Sequence, residues 1–107
     1  MLAAVPRLRL KIDSGVAVTS RTVQDEELIQ SATAVAKAIG LAYVANVQFR
    51  RDRDGRPALL EVNPRFPGTM PLTVAAGVNM PALSLLDLLG TPPPQGPIPF
   101  KELGMVR

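Results

Sequence analysis

The chain reads as an α+β domain over residues 1–90, a mainly antiparallel sheet of about four strands with helices against one face, followed by a proline-rich linker or arm over 91–107. Three observations predict this. Two pairs of short segments alternate apolar and polar residues with period two, and each pair is joined by an Asp- and Gly-containing turn. An apolar stripe of helical period lies between Thr22 and Gly40. Beyond Gly90, the stretch TPPPQGPIPF holds five of the eleven prolines, and no helix continues through it.

In the first pair, Leu8, Leu10 and Ile12 alternate with Arg7, Arg9 and Lys11, and Asp13-Ser14-Gly15 turns the chain into a second alternating segment, Val16 to Thr19. Thr22 is expected to open a helix, with Asp25 three residues later as an approximate capping box and Glu26 and Glu27 at the positive end of its dipole. Leu28, Ala32, Val35, Ala36 and Ile39 share one face of that helix, and Gly40 ends it. This stripe is core. Farther on, Thr69 to Ala76 forms a short helix stopped by Gly77, and Pro81 stands near the start of another that runs to Leu89 before Gly90.

The second strand pair carries the chemistry. From Tyr43 to Arg50, the residues Tyr43, Ala45, Val47 and Phe49 form an apolar set, while Val44, Asn46, Gln48 and Arg50 point the other way. In Ala58 to Asn63, strict alternation puts Ala58, Leu60 and Val62 on one face and Leu59, Glu61 and Asn63 on the other. Asp54-Gly55 is the turn signal between them. A symmetric two- or four-residue loop sets Gln48 opposite Glu61 and Asn46 opposite Asn63, on one face at Cβ separations of about 5 Å. A three- or five-residue loop shifts the register by one and scatters the cluster.

One carboxylate among neutral amide oxygens suits a hard cation such as Mg²⁺ or Mn²⁺ that keeps some water and takes its other ligands from substrate phosphates. Pro64 ends the strand, so Arg65 stands at its edge, where a guanidinium grips phosphate oxygens bidentately. Gly68 and Thr69 begin the next helix, placed to help an anion bind beside Arg65. A solvated strand face with a Glu–Arg surface pair accounts for the same residues. From the residues alone, both readings stay open.

The stretch from Val44 to Pro81 resembles the C-terminal part of the ATP-grasp superfamily, in particular the branch containing carbamoyl phosphate synthase large subunits. The matching positions are Asn46 and Gln48, Asp54 and Gly55, the run Glu61 to Arg65, and Ala76 with Gly77. The resemblance implies the C-terminal subdomain of an ATP-grasp fold. It implies Gln48, Glu61 and Asn63 as metal ligands, Arg65 as the catalytic residue facing the transferred phosphoryl group, and Asn46, Arg65, Gly68 and Thr69 as nucleotide-site residues. The implied cofactors are ATP and Mg²⁺ or Mn²⁺, and the implied reaction joins a carboxylate to an amine or ammonia through an acylphosphate. The sequence departs from the branch in three places: Ala42 stands near its usual glycine, its Ser-rich hairpin is reduced to Asp13-Ser14-Gly15, and Phe66 to Thr69 lacks its second arginine. A carbamoyl-phosphate-synthase-like ligase of unspecified acceptor fits better than a carbamoyl phosphate synthase proper.

No glycine-rich phosphate loop is present, and the lysines are Lys11, Lys37 and Lys101. The 107 residues therefore resemble the last third of an ATP-grasp unit, expected to be inactive alone and to work with the rest of an enzyme or a second copy. The alternative from another class is a non-catalytic binding or assembly module derived from such a subdomain. With no histidine or cysteine, the chain contains no Ser-His or Cys-His nucleophile and no disulfide. No apolar run approaches the ~20 residues that span a bilayer, so no membrane partner is expected. Arg50, Arg51, Arg53 and Arg56 cluster at one turn, but Asp52 and Asp54 interrupt them and aromatic residues are 4% of the chain, which disfavours nucleic acid. A cytoplasmic location follows from the ATP-dependent resemblance alone.

Overall fold

The computed structural model describes residues 2–13 and 16–106. Ser14 and Gly15, on which the first turn is expected, lie outside the described residues. Among the described residues, five strands and three helices follow in the order β1 (Arg7–Asp13), β2 (Val16–Thr22), α1 (Glu26–Ala38), β3 (Asn46–Arg51), β4 (Pro57–Asn63), α2 (Met70–Ala75), α3 (Met80–Leu88) and β5 (Gly104–Val106). The class is α+β and every strand pairing is antiparallel. The strands form two sheets, β1-β2-β5 and β3-β4, where one sheet of four is expected. The fifth strand comes from the segment after the prolines, which runs back over its own chain: Ile98 donates to the Leu2 carbonyl, Lys101 to that of Ala76, and Met105 pairs with Ser20.

The helix ends show how local chemistry sets the elements. Asp25 is itself the N-cap of α1, its carboxylate accepting from the Leu28 amide at 3.0 Å, and Thr22 belongs to β2 instead of opening the helix. Thr22 is buried, and its hydroxyl donates to the Lys101 carbonyl and accepts from the Leu103 amide. That pair of bonds anchors the returning segment, a role that strand and helix periodicity do not encode. Asn79 caps α3 through the Ala82 amide. All three helices stop on a glycine of positive φ (Gly40, Gly77, Gly90), and the next residue's amide bonds back five residues to Ala36, Thr73 or Leu86. A side chain at such a backbone angle is sterically opposed, so glycine sets these boundaries.

Among the described residues the buried core centres on α2 and β2: Met70, Leu72, Ala76 and Val78 with Ser20, Thr22 and Thr73. Neither α1 nor α3 has a buried residue. The expected core stripe of α1 instead borders an open cleft, with Leu28, Ala32 and Ala36 in its lining and Ile39 55% exposed. On β1 only Arg7, paired with buried Thr22, is half-buried, whereas Leu8, Arg9, Leu10 and Lys11 are exposed. Among the described residues, no helix is long and apolar enough to cross a membrane.

Candidate functional site

β3 begins at Asn46, three residues later than alternation predicts, because Tyr43 adopts φ 70 and breaks the extended run. Across the hairpin, Asn46 lies opposite Asn63, Val47 opposite Val62 and Gln48 opposite Glu61. Directly opposed residues share a face, so the polar cluster forms with the expected partners.

The turn that produces it differs from the expected one. Arg51 pairs with Pro57, the Asp52 amide donates to the Arg56 carbonyl, and residues 53–55 form an odd-length tip. The Asp52 carboxylate accepts from the amides of Asp54 and Arg56, both at 2.9 Å, and Gly55 takes φ 77. Such a loop displaces the register by one residue, and Phe49 indeed opposes Leu59. A bulge between Gln48 and Phe49 absorbs Leu60 and restores the site register. Two opposite shifts cancel. The bulge also moves Leu59, expected beside Glu61, onto the apolar face with Val47 and Phe49.

Within the cluster, the Asn63 amide nitrogen donates to Glu61 Oε1 at 3.0 Å. Glu61 is exposed, while Gln48 and Asn63 are half-buried. Arg65 is exposed, its backbone amide bonded to the Asn63 carbonyl at 2.7 Å and its guanidinium touching the Phe66 carbonyl at 3.3 Å. A cleft of about 1220 Å³ has Asn46, Gln48, Arg65, Gly68 and Thr69 in its lining, together with the apolar Leu28, Ile29, Ala32 and Ala36 of α1. Glu61 and Asn63 are not part of that lining. Among the described residues, no three Asp, Glu, His or Cys side chains gather in a metal-binding group. Any cation here would rest on one carboxylate and two amides.

Sequence reasoning missed Arg7. Its two terminal nitrogens donate to Thr69 Oγ1 at 2.5 Å and Asn46 Oδ1 at 2.6 Å, which ties β1 to the start of both β3 and α2. These side-chain bonds link the two sheets across a boundary that no ladder crosses. Thr69 stands at the N-cap of α2 but makes no capping bond there. Burial lowers the Arg7 pKa from its ordinary value, though the group stays cationic. In the sequence, Arg7 is one of three cations alternating along a strand, and nothing local separates it from Arg9 or Lys11.

At the hairpin's far end, Arg51 bonds Asp25 at 2.6 Å, Glu27 at 3.4 Å and the Gly55 carbonyl at 2.8 Å. The most structured arginine of the basic turn is thus occupied within the chain, holding the hairpin to the start of α1. A family described as "ATP-grasp in the biosynthetic pathway with Ter operon" matches residues 1–106. No curated protein matches the chain.

Proposed function

The chain belongs to this ATP-grasp family, and from that membership we propose that it is the metal- and phosphate-binding portion of an ATP-dependent ligase joining a carboxylate to an amine or ammonia. The observation that carries the proposal is the hairpin register, which sets Gln48 against Glu61 and Asn46 against Asn63. Because the Asn63 amide nitrogen is held by Glu61, the amide orientation is fixed and its oxygen is left for another partner. One carboxylate and two amide oxygens fit a hard, partly hydrated cation such as Mg²⁺ or Mn²⁺.

Gln48, Glu61 and Asn63 would hold that cation, which when bound neutralises phosphate charge and orients the polyphosphate. Arg65, beside the cluster and with guanidinium donors left over, binds phosphate oxygens and stabilises charge on the transferred group. Asn46, Gly68 and Thr69 position the nucleotide around it. A substrate carboxylate oxygen attacks the γ-phosphorus, ADP leaves, and the amine then displaces phosphate from the acylphosphate. No side chain of this chain has to serve as nucleophile. The Asn46, Gln48 and Glu61-to-Arg65 positions support a carbamoyl-phosphate-synthase-like variant of this chemistry, in the cytoplasm where ATP is plentiful.

A Mn²⁺ titration of the chain, read as amide broadening with and without ATP, tests the proposal. Broadening centred on Gln48, Glu61 and Asn63, strengthened by ATP and absent in Glu61→Gln, is the expected result. Diffuse broadening that is unchanged in Glu61→Gln sinks it. In the enzyme that contains this portion, Glu61→Gln should abolish turnover with little loss of fold.

A second reading, a binding or assembly module without catalysis, is favoured by one observation. Neither α1 nor α3 buries any residue, and Leu85, Leu88 and Leu89 are 57%, 74% and 71% exposed. Such apolar surface suits contact with the rest of an enzyme or a second copy.

A further inference from the structure

We propose that Arg7 is an oxyanion-binding residue, and that the cleft beside Asn46 and Thr69 receives a phosphoryl or carboxylate group of a small-molecule substrate. This deepens the ligase reading, on which it rests for the identity of the anion.

A guanidinium carries five N–H donors. Arg7 gives one to Thr69 and one to Asn46, both neutral acceptors, so its charge meets no opposite charge in either bond. The ion pairs among the described residues are those of Arg51 with Asp25 and Glu27. Of the carboxylates lining the cleft, Asp25 is engaged by Arg51, and Asp87 of α3 makes no ion pair. Among the described residues Arg7 is therefore a half-buried cation without a counter-ion, an arrangement that costs free energy unless something supplies the charge.

The two bonds also fix the guanidinium plane before any ligand arrives. A planar fork held in this way matches two oxygens of a carboxylate or phosphate. Arg65, two residues beyond the end of β4, lines the same cleft. Two arginines, one on β1 and one just past β4, with Gln48 and Thr69 as neutral donors in the same lining, form a site for a group of concentrated negative charge. The apolar wall of α1 leaves room for the uncharged remainder of the substrate.

The test is a titration of the chain, with labelled arginine side chains, by inorganic phosphate in one arm and acetate in the other. A saturable shift of Arg7 Nε–H and of the Thr69 amide in the millimolar range is expected. Arg7→Lys should weaken it about tenfold by removing the fork, and Arg7→Met should remove it while Mn²⁺ broadening at Glu61 persists. Response to phosphate alone assigns a phosphoryl subsite, and response to acetate alone a carboxylate subsite. Linear, non-saturating shifts with both anions overturn the proposal, as does an undiminished response in Arg7→Met. Should Arg7→Met fail to fold, Thr69→Val serves instead: loosening the fork should weaken anion binding, and unchanged affinity would count against the site. Loss of Mn²⁺ broadening with the anion shifts intact would sink the metal reading and leave this one standing.

Discussion

Tyr43 holds φ 70 three residues before the start of the strand that carries Asn46 and Gln48, and it is 70% exposed. A left-handed backbone costs an L-residue roughly 1–2 kcal/mol, whereas glycine adopts it freely. Replacing Tyr43 directly by glycine mixes strain relief with loss of whatever the ring touches, so the informative comparison is Tyr43→Gly against Tyr43→Ala. Both remove the ring, and only alanine keeps a Cβ. Glycine loses about 0.5–1 kcal/mol more backbone entropy on folding, which leaves Tyr43→Gly the more stable by about 0.5–1 kcal/mol. For a domain of this size each kcal/mol moves the melting temperature by about 4–8 °C. Urea and thermal melts followed by circular dichroism resolve that difference. If Tyr43→Ala equals or exceeds Tyr43→Gly in stability, the backbone is not strained there, and the late start of β3 needs another cause.

Asp25→Ala removes the α1 cap and the Arg51 partner together. A loss of about 1–2 kcal/mol is expected, most of it from the cap, because Arg51 is 53% exposed and screened pairs contribute little. A double-mutant cycle with Arg51→Ala should return a coupling below ~1 kcal/mol that shrinks in salt; a larger, salt-insensitive coupling would contradict this. Deleting Leu60 should preserve the Gln48–Glu61 pairing, since it removes the bulged residue and joins two ladder segments that already share the same turn. Cross-strand NOEs read this directly, and Gln48 found opposite Val62 would refute it.

The elements before the prolines were legible because their causes are local, whereas β5 was not. Alternation marked the hairpin strands, apolar spacing marked α1, and glycines placed the three helix ends. The partners Gln48–Glu61 and Asn46–Asn63 were also correct, though for an incomplete reason. The side chain of Asp52 organises an odd-length tip, and the bulge at Leu60 compensates for it. Turn and bulge each depend on weak local preferences, and only their sum fixes which residues meet.

What the sequence by itself determined is the chemistry that can gather at the hairpin: one carboxylate, amide oxygens and an arginine at the strand end, set by residue identity and period two. Tertiary structure decided which cation of β1 is partly buried, how the chain after the prolines pairs with β2, and that Arg7 reaches Asn46 and Thr69. Those partners lie 39 and 62 residues away along the chain. The choice between two faces of a strand depends on everything packed against it. No periodicity within a single segment contains that information.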